Sequence, residues 1–147
     1  MGSLILPTSG QVYLDTNIFI YTVEKIEPYF SFLKPLWLKV AEQKISVISS
    51  ELVILETLIR PLREKDIVLE NTFNNLFKAN GVQLIPVTEK VWRKAALLRA
   101  EYRLNVADAI HTATAITEKA TLFISNDNEF KKLENLPFIN LSDYKIS

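Results

Sequence analysis

Val12-Tyr13-Leu14-Asp15-Thr16-Asn17 is a short apolar run that stops on an acid. Its first three residues read as a buried β-strand, and a carboxylate at the end of such a strand is costly unless something satisfies its charge. The same design returns at Leu122-Phe123-Ile124-Ser125-Asn126-Asp127. Two more acids stand inside apolar segments: Glu56 in Leu52-Val53-Ile54-Leu55-Glu56-Thr57-Leu58-Ile59, and Asp108 in Val106-Ala107-Asp108-Ala109-Ile110. No base stands at matching positions, so a shared divalent cation accounts for all four at once.

Working outward, strands are expected over 12–14, 45–48, 82–85, 121–124 and 138–141. Helices are expected between them: 17–24, and 28–43 interrupted or bent by Pro35. A third is capped by Ser49 or Ser50 and stopped by Pro61, and a fourth spans 63–78 with a stop at Asn80-Gly81. A fifth runs from a Thr88 cap to Arg103 with Val91, Trp92, Ala95, Leu98 and Tyr102 inward, a sixth runs from Asn105 to about Lys119, and a helical turn follows at 129–133. Short apolar strands alternating with longer helices indicate βα units, hence a parallel sheet covered on both faces. In such folds the site lies beyond the carboxyl ends of the strands, where Asp15 and Asp127 stand.

A chain of 147 residues with 48% hydrophobic content is the size of one domain, 1–147, with 1–10 as a loose leading segment. Met1-Gly2-Ser3 is left out of the fold argument. Seventeen Lys+Arg balance seventeen Asp+Glu, so a polyanion would have to be held by local clusters. Such clusters exist at Arg60, Arg63 and Lys65 and at Arg93, Lys94, Arg99 and Arg103, although a solvated helix face explains each of them as well. The absence of cysteine removes disulfides, thiolate metal sites and a cysteine nucleophile. Apolar runs of about eight residues fall short of the roughly 20 that cross a bilayer, and Leu4-Ile5-Leu6 lacks a basic leader. The expectation is a soluble, cytoplasmic protein with no membrane contact.

Each acid also has an ordinary explanation. Asp15 would cap the helix that follows it, and Glu56 would pair with Arg60 one turn on. Asp108 would close a capping box with Asn105, and Asp127 would make an Asx turn. Four unrelated reasons are needed for four acids in one order, whereas a metal site needs one. His111, the sole histidine, lies one turn after Asp108 and could orient it, act as a base or be structural. Ser125 lacks the turn and triad of a nucleophile and is read as a positioning residue. The aromatics Phe19, Tyr21, Tyr29, Phe30, Phe32 and Trp37 exceed what one helix face should expose, and suggest either a docking groove for a partner helix or self, or core packing.

Val-Tyr-Leu-Asp15-Thr-Asn17, the helical Glu56, Asp108-Ala-Ile-His-Thr-Ala-Thr-Ala and Ser125-Asn-Asp127-Asn-Glu-Phe130 together resemble the PIN-domain pattern over nearly the whole chain, with the size of VapC-type toxins. The resemblance implies an α/β fold, a three-layer α/β/α sandwich around a mostly parallel sheet. It implies Mg²⁺ or Mn²⁺ held by Asp15, Glu56, Asp108 and Asp127, with Asn17 and Ser125 in support. It further implies hydrolysis of single-stranded RNA and a cognate antitoxin; a homodimer is the expectation that the aromatic-rich segment adds. Ser125 stands where the family often has Thr, and Asn128 where some members add an acid, which leaves the number of ions open.

Other folds fit less well. A haloacid-dehalogenase-type phosphatase would need an acid at Asn17, and a response-regulator receiver would need an Asp after Val82-Gln83-Leu84-Ile85. The remaining alternative is a catalytically silent PIN-like module that binds protein or RNA; its signature would be a lost acid, and all four are present.

Overall fold

The computed structural model describes residues 4–143. Five strands, β1 (Gln11–Leu14), β2 (Ser46–Ser50), β3 (Val82–Ile85), β4 (Leu122–Ser125) and β5 (Phe138–Asn140), form one sheet in the order β3-β2-β1-β4-β5. Every pairing is parallel, so the expected mostly parallel sheet is wholly so. The helices are α1 (Thr16–Val23), α2 (Tyr29–Ala41), α3 (Leu52–Glu64), α4 (Ile67–Phe77), α5 (Glu89–Tyr102) and α6 (Val106–Thr117).

Strand side chains alternate in direction, and here both directions are apolar. Val12, Leu14, Val47 and Ile124 pack with Ile18, Phe19, Leu33, Leu36 and Val53 of α1–α3 on one face. Tyr13, Ile48 and Phe123 pack with Val91, Leu98, Ala109 and Ala113 of α5 and α6 on the other. The result is three layers. Residues 108–115 of α6 are all buried, and their small Ala and Thr side chains let that helix lie close against the sheet.

Several local expectations change. Pro35 lies in the middle of α2 and Pro61 in the last turn of α3, so α2 is continuous and α3 runs on to Glu64; each proline removes one N–H from the helix without ending it. The helix expected over 63–78 begins at Ile67, because Asp66 caps it by accepting from the Leu69 N–H at 3.0 Å. Ser49 and Ser50 belong to β2, although the Ser50 hydroxyl still accepts from Leu52 N at 3.1 Å. Trp92, expected inward, is 52% exposed. Residues 4–10 form no helix or strand, yet Leu4 is buried in the core and the Gly10 carbonyl accepts from Ser46 N. Met1-Gly2-Ser3 lie outside the described residues.

Strand β1 sits between β2 and β4, so chain progress reverses direction across the sheet beside it. That is the topological switch point, where a crevice opens beyond the carboxyl ends of the strands. Asp15 directly follows β1, and Asp127 follows β4. Helix α3 leaves the same end after β2, and α6, which runs back to feed β4, starts there. All four candidate acids therefore share one edge of the sheet. A cavity of about 500 Å³ at the opposite, amino end, between Gly10, Val40, Lys44, Ser46 and Gly81, is lined by no acid.

Candidate active site

Asp15 is 6% exposed and caps α1, its Oδ1 accepting from Thr16 N at 2.8 Å. The cap expected of it is real, and it is one of several duties. Its Oδ2 accepts from the Ser125 hydroxyl at 2.6 Å, and Oδ1 lies 3.4 Å from His111 Nε2. The Ser125 Oγ in turn accepts from Asp127 N at 3.0 Å and from Asn17 Nδ2 at 3.5 Å. Ser125 and Asn17 thus brace the two strand-end acids. Asn17 Oδ1 is buried without a hydrogen-bond partner, which is costly for an acceptor and marks a place where a cation or its water shell would be satisfied.

Asp108 shows both of its readings at once. Its backbone N–H donates to Asn105 Oδ1 at 2.7 Å, and Asn105 Nδ2 donates back to its carboxylate at 3.2 Å, a capping box closed through side chains. Burial first, then the charges of Asp127 and Asp15, push its carboxyl up to about 7, and Asp127 lies within hydrogen-bonding reach of it. Asp127 also makes the expected Asx turn, its Oδ1 accepting from Glu129 N at 2.9 Å. Asp108 therefore feels both Asp127 and Asp15.

Glu56 is drawn the other way. Its Oε1 accepts from the Thr16 hydroxyl at 2.6 Å and from His111 Nε2 at 3.0 Å. Burial acts to raise its pKa most strongly, but the hydrogen bonds from His111 and Thr16 and the charge of His111 outweigh it, and the carboxyl is held below the usual range. The expected pairing with Arg60 does not form: Arg60 binds Glu24 of α1's C-cap instead. Burial likewise acts to lower the His111 pKa, but Glu56, Asp15 and Asp108 together raise it.

Three residues went unread as members of the site: Thr16, Tyr13 and, in its actual role, His111. The Tyr13 hydroxyl lies 2.7 Å from His111 Nδ1, and both side chains are buried. The sequence held one signal for them, a sole histidine three residues after an acid on a buried helix.

Hard carboxylate oxygens, an orphaned buried amide oxygen and a cluster of acids that repel one another suit a hard divalent cation. Among the described residues, however, no group of three or more His, Asp or Glu side chains is already drawn together as a ready ligand set. Asp108 lies within hydrogen-bonding reach of Asp127 and feels the charge of Asp15, and Glu56 is linked to Asp15 through His111 and Thr16.

The surface around the site also departs from expectation. Phe19 and Phe32 are buried, and Tyr21 stacks on Tyr29 with ring centroids 4.5 Å apart. Trp37 donates to the Thr22 hydroxyl at 3.0 Å, so the aromatics between 19 and 37 are mostly core. The unpartnered apolar face lies instead on α3 and α4: Leu55 (61%), Leu62 (56%), Ile67 (67%) and Val68 (77%) are exposed, with Ile54 and Ile59 beside them. Helix α3, apolar on nearly every side over 52–59, buries only Val53, Thr57 and Pro61. No helix among the described residues is long and apolar enough to cross a membrane.

No curated protein matches the sequence significantly. Among solved structures, the chain resembles VapBC2 from Rickettsia felis bound to a DNA fragment from its promoter, with a TM-score of 0.71 and 20% identity over 88% of this chain and 98% of that one. It also resembles a toxin-antitoxin complex from Klebsiella pneumoniae (TM-score 0.67, 19% identity, 92% and 99% covered). A third neighbour is VapC20 from Mycobacterium tuberculosis, a toxin that cleaves the sarcin-ricin loop (TM-score 0.66, 18% identity, 84% and 95% covered). At these identities the likeness speaks for the fold. The family model for the PIN domain matches residues 12–136, from the first core residue of β1 to beyond the last of the four acids, and the chain belongs to the PIN-domain family.

Proposed function

We propose that this protein is a metal-dependent endoribonuclease that hydrolyses phosphodiester bonds of single-stranded RNA, and the toxin of a toxin-antitoxin pair. The observation that carries the reading is the placement of Asp15, Asp108 and Asp127 at the switch point of a PIN-domain sheet, where burial first and then the charges of Asp127 and Asp15 push the Asp108 carboxyl up to about 7. Such a cluster is unfavourable alone and favourable around a cation. Asp15, Asp108, Asp127 and Glu56 would hold Mg²⁺ or Mn²⁺, with Asn17 and Ser125 keeping the strand-end acids in place. When bound, the ion supplies an activated water and neutralises charge on the attacked phosphate. No covalent nucleophile is needed from the chain.

The exposed apolar face of α3 and α4 is the docking surface this reading favours for an antitoxin helix, since a patch of this kind is unfavourable in water and apolar helices seat in such grooves. A homodimer and a cytoplasmic location complete the proposal. The test is cleavage of a fluorescent single-stranded RNA with Mg²⁺ or Mn²⁺, stopped by EDTA and absent in Asp15→Asn. Equal cleavage by wild type and variant, once contaminating nuclease is excluded, overturns it. Mn²⁺-independent RNA binding without cleavage would instead select the silent binding module.

A further inference from the structure

Glu56 stands on a helix whose surroundings do little to fix it: α3 is buried only at Val53, Thr57 and Pro61, and its next turns face solvent. A glutamate has several rotatable bonds, and holding it in one pose lowers side-chain entropy unless fixed donors meet it. Two donors do. Thr16 Oγ1 and His111 Nε2 both fall on the same oxygen, Oε1, at 2.6 and 3.0 Å. Oε2 is the oxygen clear of both.

The imidazole that supplies one donor is itself locked. His111 is 1% exposed, so each ring nitrogen needs a partner, and Nδ1 has the Tyr13 hydroxyl at 2.7 Å. With the Tyr13 O–H donating to Nδ1, the ring proton stands on Nε2 and is directed at Glu56 Oε1, with Thr16 Oγ1 at 3.1 Å and Asp15 Oδ1 at 3.4 Å beside it. Tyr13 is in turn immobile: it lies in β1, is fully buried, and stacks on Phe123 of β4 with centroids 4.9 Å apart. A line of fixed contacts therefore runs from the sheet core through Tyr13 and His111 to one oxygen of Glu56.

We propose that Tyr13 and His111 are positioning residues for cleavage: they hold Glu56 through Oε1, jointly with Thr16, so that Oε2 is left free in a fixed pose. The proposal rests on the nuclease reading above. Neither residue touches substrate; both act through Glu56 and Asp15, the arrangement by which outer groups orient ligand carboxylates in metal sites.

The variants are His111→Leu, which removes the Nε2–H, His111→Gln, which places an amide donor near the same point, and Tyr13→Phe, which frees Nδ1 while keeping the ring. Each is read by kcat and KM on a fluorescent single-stranded RNA, by Mn²⁺ affinity in calorimetry and by melting temperature. Expected for His111→Leu is a loss of about 10- to 100-fold in kcat or in Mn²⁺ affinity, with KM little changed. His111→Gln recovers most of that loss, and Tyr13→Phe shows a smaller loss of the same kind. Should His111→Leu fail to fold, Tyr13→Phe and Thr16→Val carry the test, each expected to lower kcat with KM unchanged. Wild-type kcat and Mn²⁺ affinity in the variants overturn the proposal, as does a His111→Gln no better than His111→Leu. A wild type that neither cleaves nor binds Mn²⁺ overturns the nuclease reading and this inference with it, whereas active variants overturn the inference alone.

Discussion

The two sides of the acidic edge solve the same problem in opposite ways. On one side Asp108 lies against Asp127 with the charge of Asp15 close by, and burial together with these two neighbours pushes its carboxyl up to about 7. On the other side Glu56 is met by two donors on one oxygen, and its carboxyl is held ionised below the usual range. Charge is thus unsatisfied on the first side and satisfied on the second. The difference teaches that burying acids together does not by itself make them equivalent. What surrounds each one decides whether it waits for a cation or is already in place. Asp15, braced by Ser125 and Thr16 and close to His111, joins the two sides.

The sharpest way to break this comparison is to remove the residue common to both sides. Asp15→Asn, and likewise Asp127→Asn, should lower RNA cleavage by at least about 100-fold, because each takes a charged oxygen from the cation's surroundings. Initial rates at saturating Mn²⁺ measure this; a loss under tenfold in both would remove them from the chemistry.

Next in size is the apolar face. Leu55→Glu together with Ile67→Glu should abolish capture of the cognate antitoxin while leaving cleavage by the free protein within about twofold, since a charge buried at an interface centre costs several kcal/mol. Copurification of the pair from a bicistronic expression, followed by the RNA assay, decides it. Retained binding would move the docking surface elsewhere.

The unsatisfied side predicts a stability effect of unusual sign. In EDTA at neutral pH, Asp108→Asn should melt at or above wild type, because it removes a repelled acid while its amide oxygen can still accept from Asn105. It should also gain less from Mn²⁺ than wild type does. If Asp108 served the cap alone, the variant would melt no higher than wild type and would respond to Mn²⁺ as wild type does.

The two sides should also respond oppositely to pH. Asp108 is protonated in the folded protein up to about 7 and ionises near 3.8 when unfolded, so the folded state holds the extra proton between those values. Stability in EDTA therefore falls as pH rises through that window. Glu56, held low when folded, contributes stability above its ordinary value of 4.5 and loses it as pH falls through its lowered pKa. His111, raised above 6.5 by Glu56, Asp15 and Asp108, adds a decline at higher pH, so the difference between wild type and Asp108→Asn reads the aspartate together with its effect on His111. Melting temperature against pH should slope downward from 5 to 7 in wild type and more gently in the variant.

The smallest effect is expected at Arg60. It binds Glu24 on the surface and not Glu56, so Arg60→Ala should leave both kcat and melting temperature nearly unchanged. A large loss of kcat would mean that Arg60 meets RNA.

Much of this was legible because it rests on local periodicity. Unbroken apolar runs such as Leu122–Ile124 can be strands only if both faces are covered, which forces helices onto both sides of a parallel sheet. Asp15 and Asp127 at strand ends then mark a candidate site. What was not legible was orientation. The aromatics between 19 and 37 fitted either a docking surface or core packing, and Phe19 and Phe32 turn out to be core. Leu55 and Ile59 lie in an apolar run, yet they are exposed, because α3 buries only the line of Val53, Thr57 and Pro61. Hydrophobicity records what a face avoids, and it does not say whether the cover comes from the same chain.

The sequence by itself determined the sheet, its helices and the four acids that stand at one end of it, since strand and helix periods and the chain order of βα units leave little freedom. Only the tertiary structure decided that Glu56 answers to His111 and Thr16 rather than to Arg60. Residues 40 and 55 positions apart in the chain come within 3.0 Å of one carboxylate oxygen there. Contacts of that range follow from how helices seat on the sheet, and no spacing along the chain encodes them.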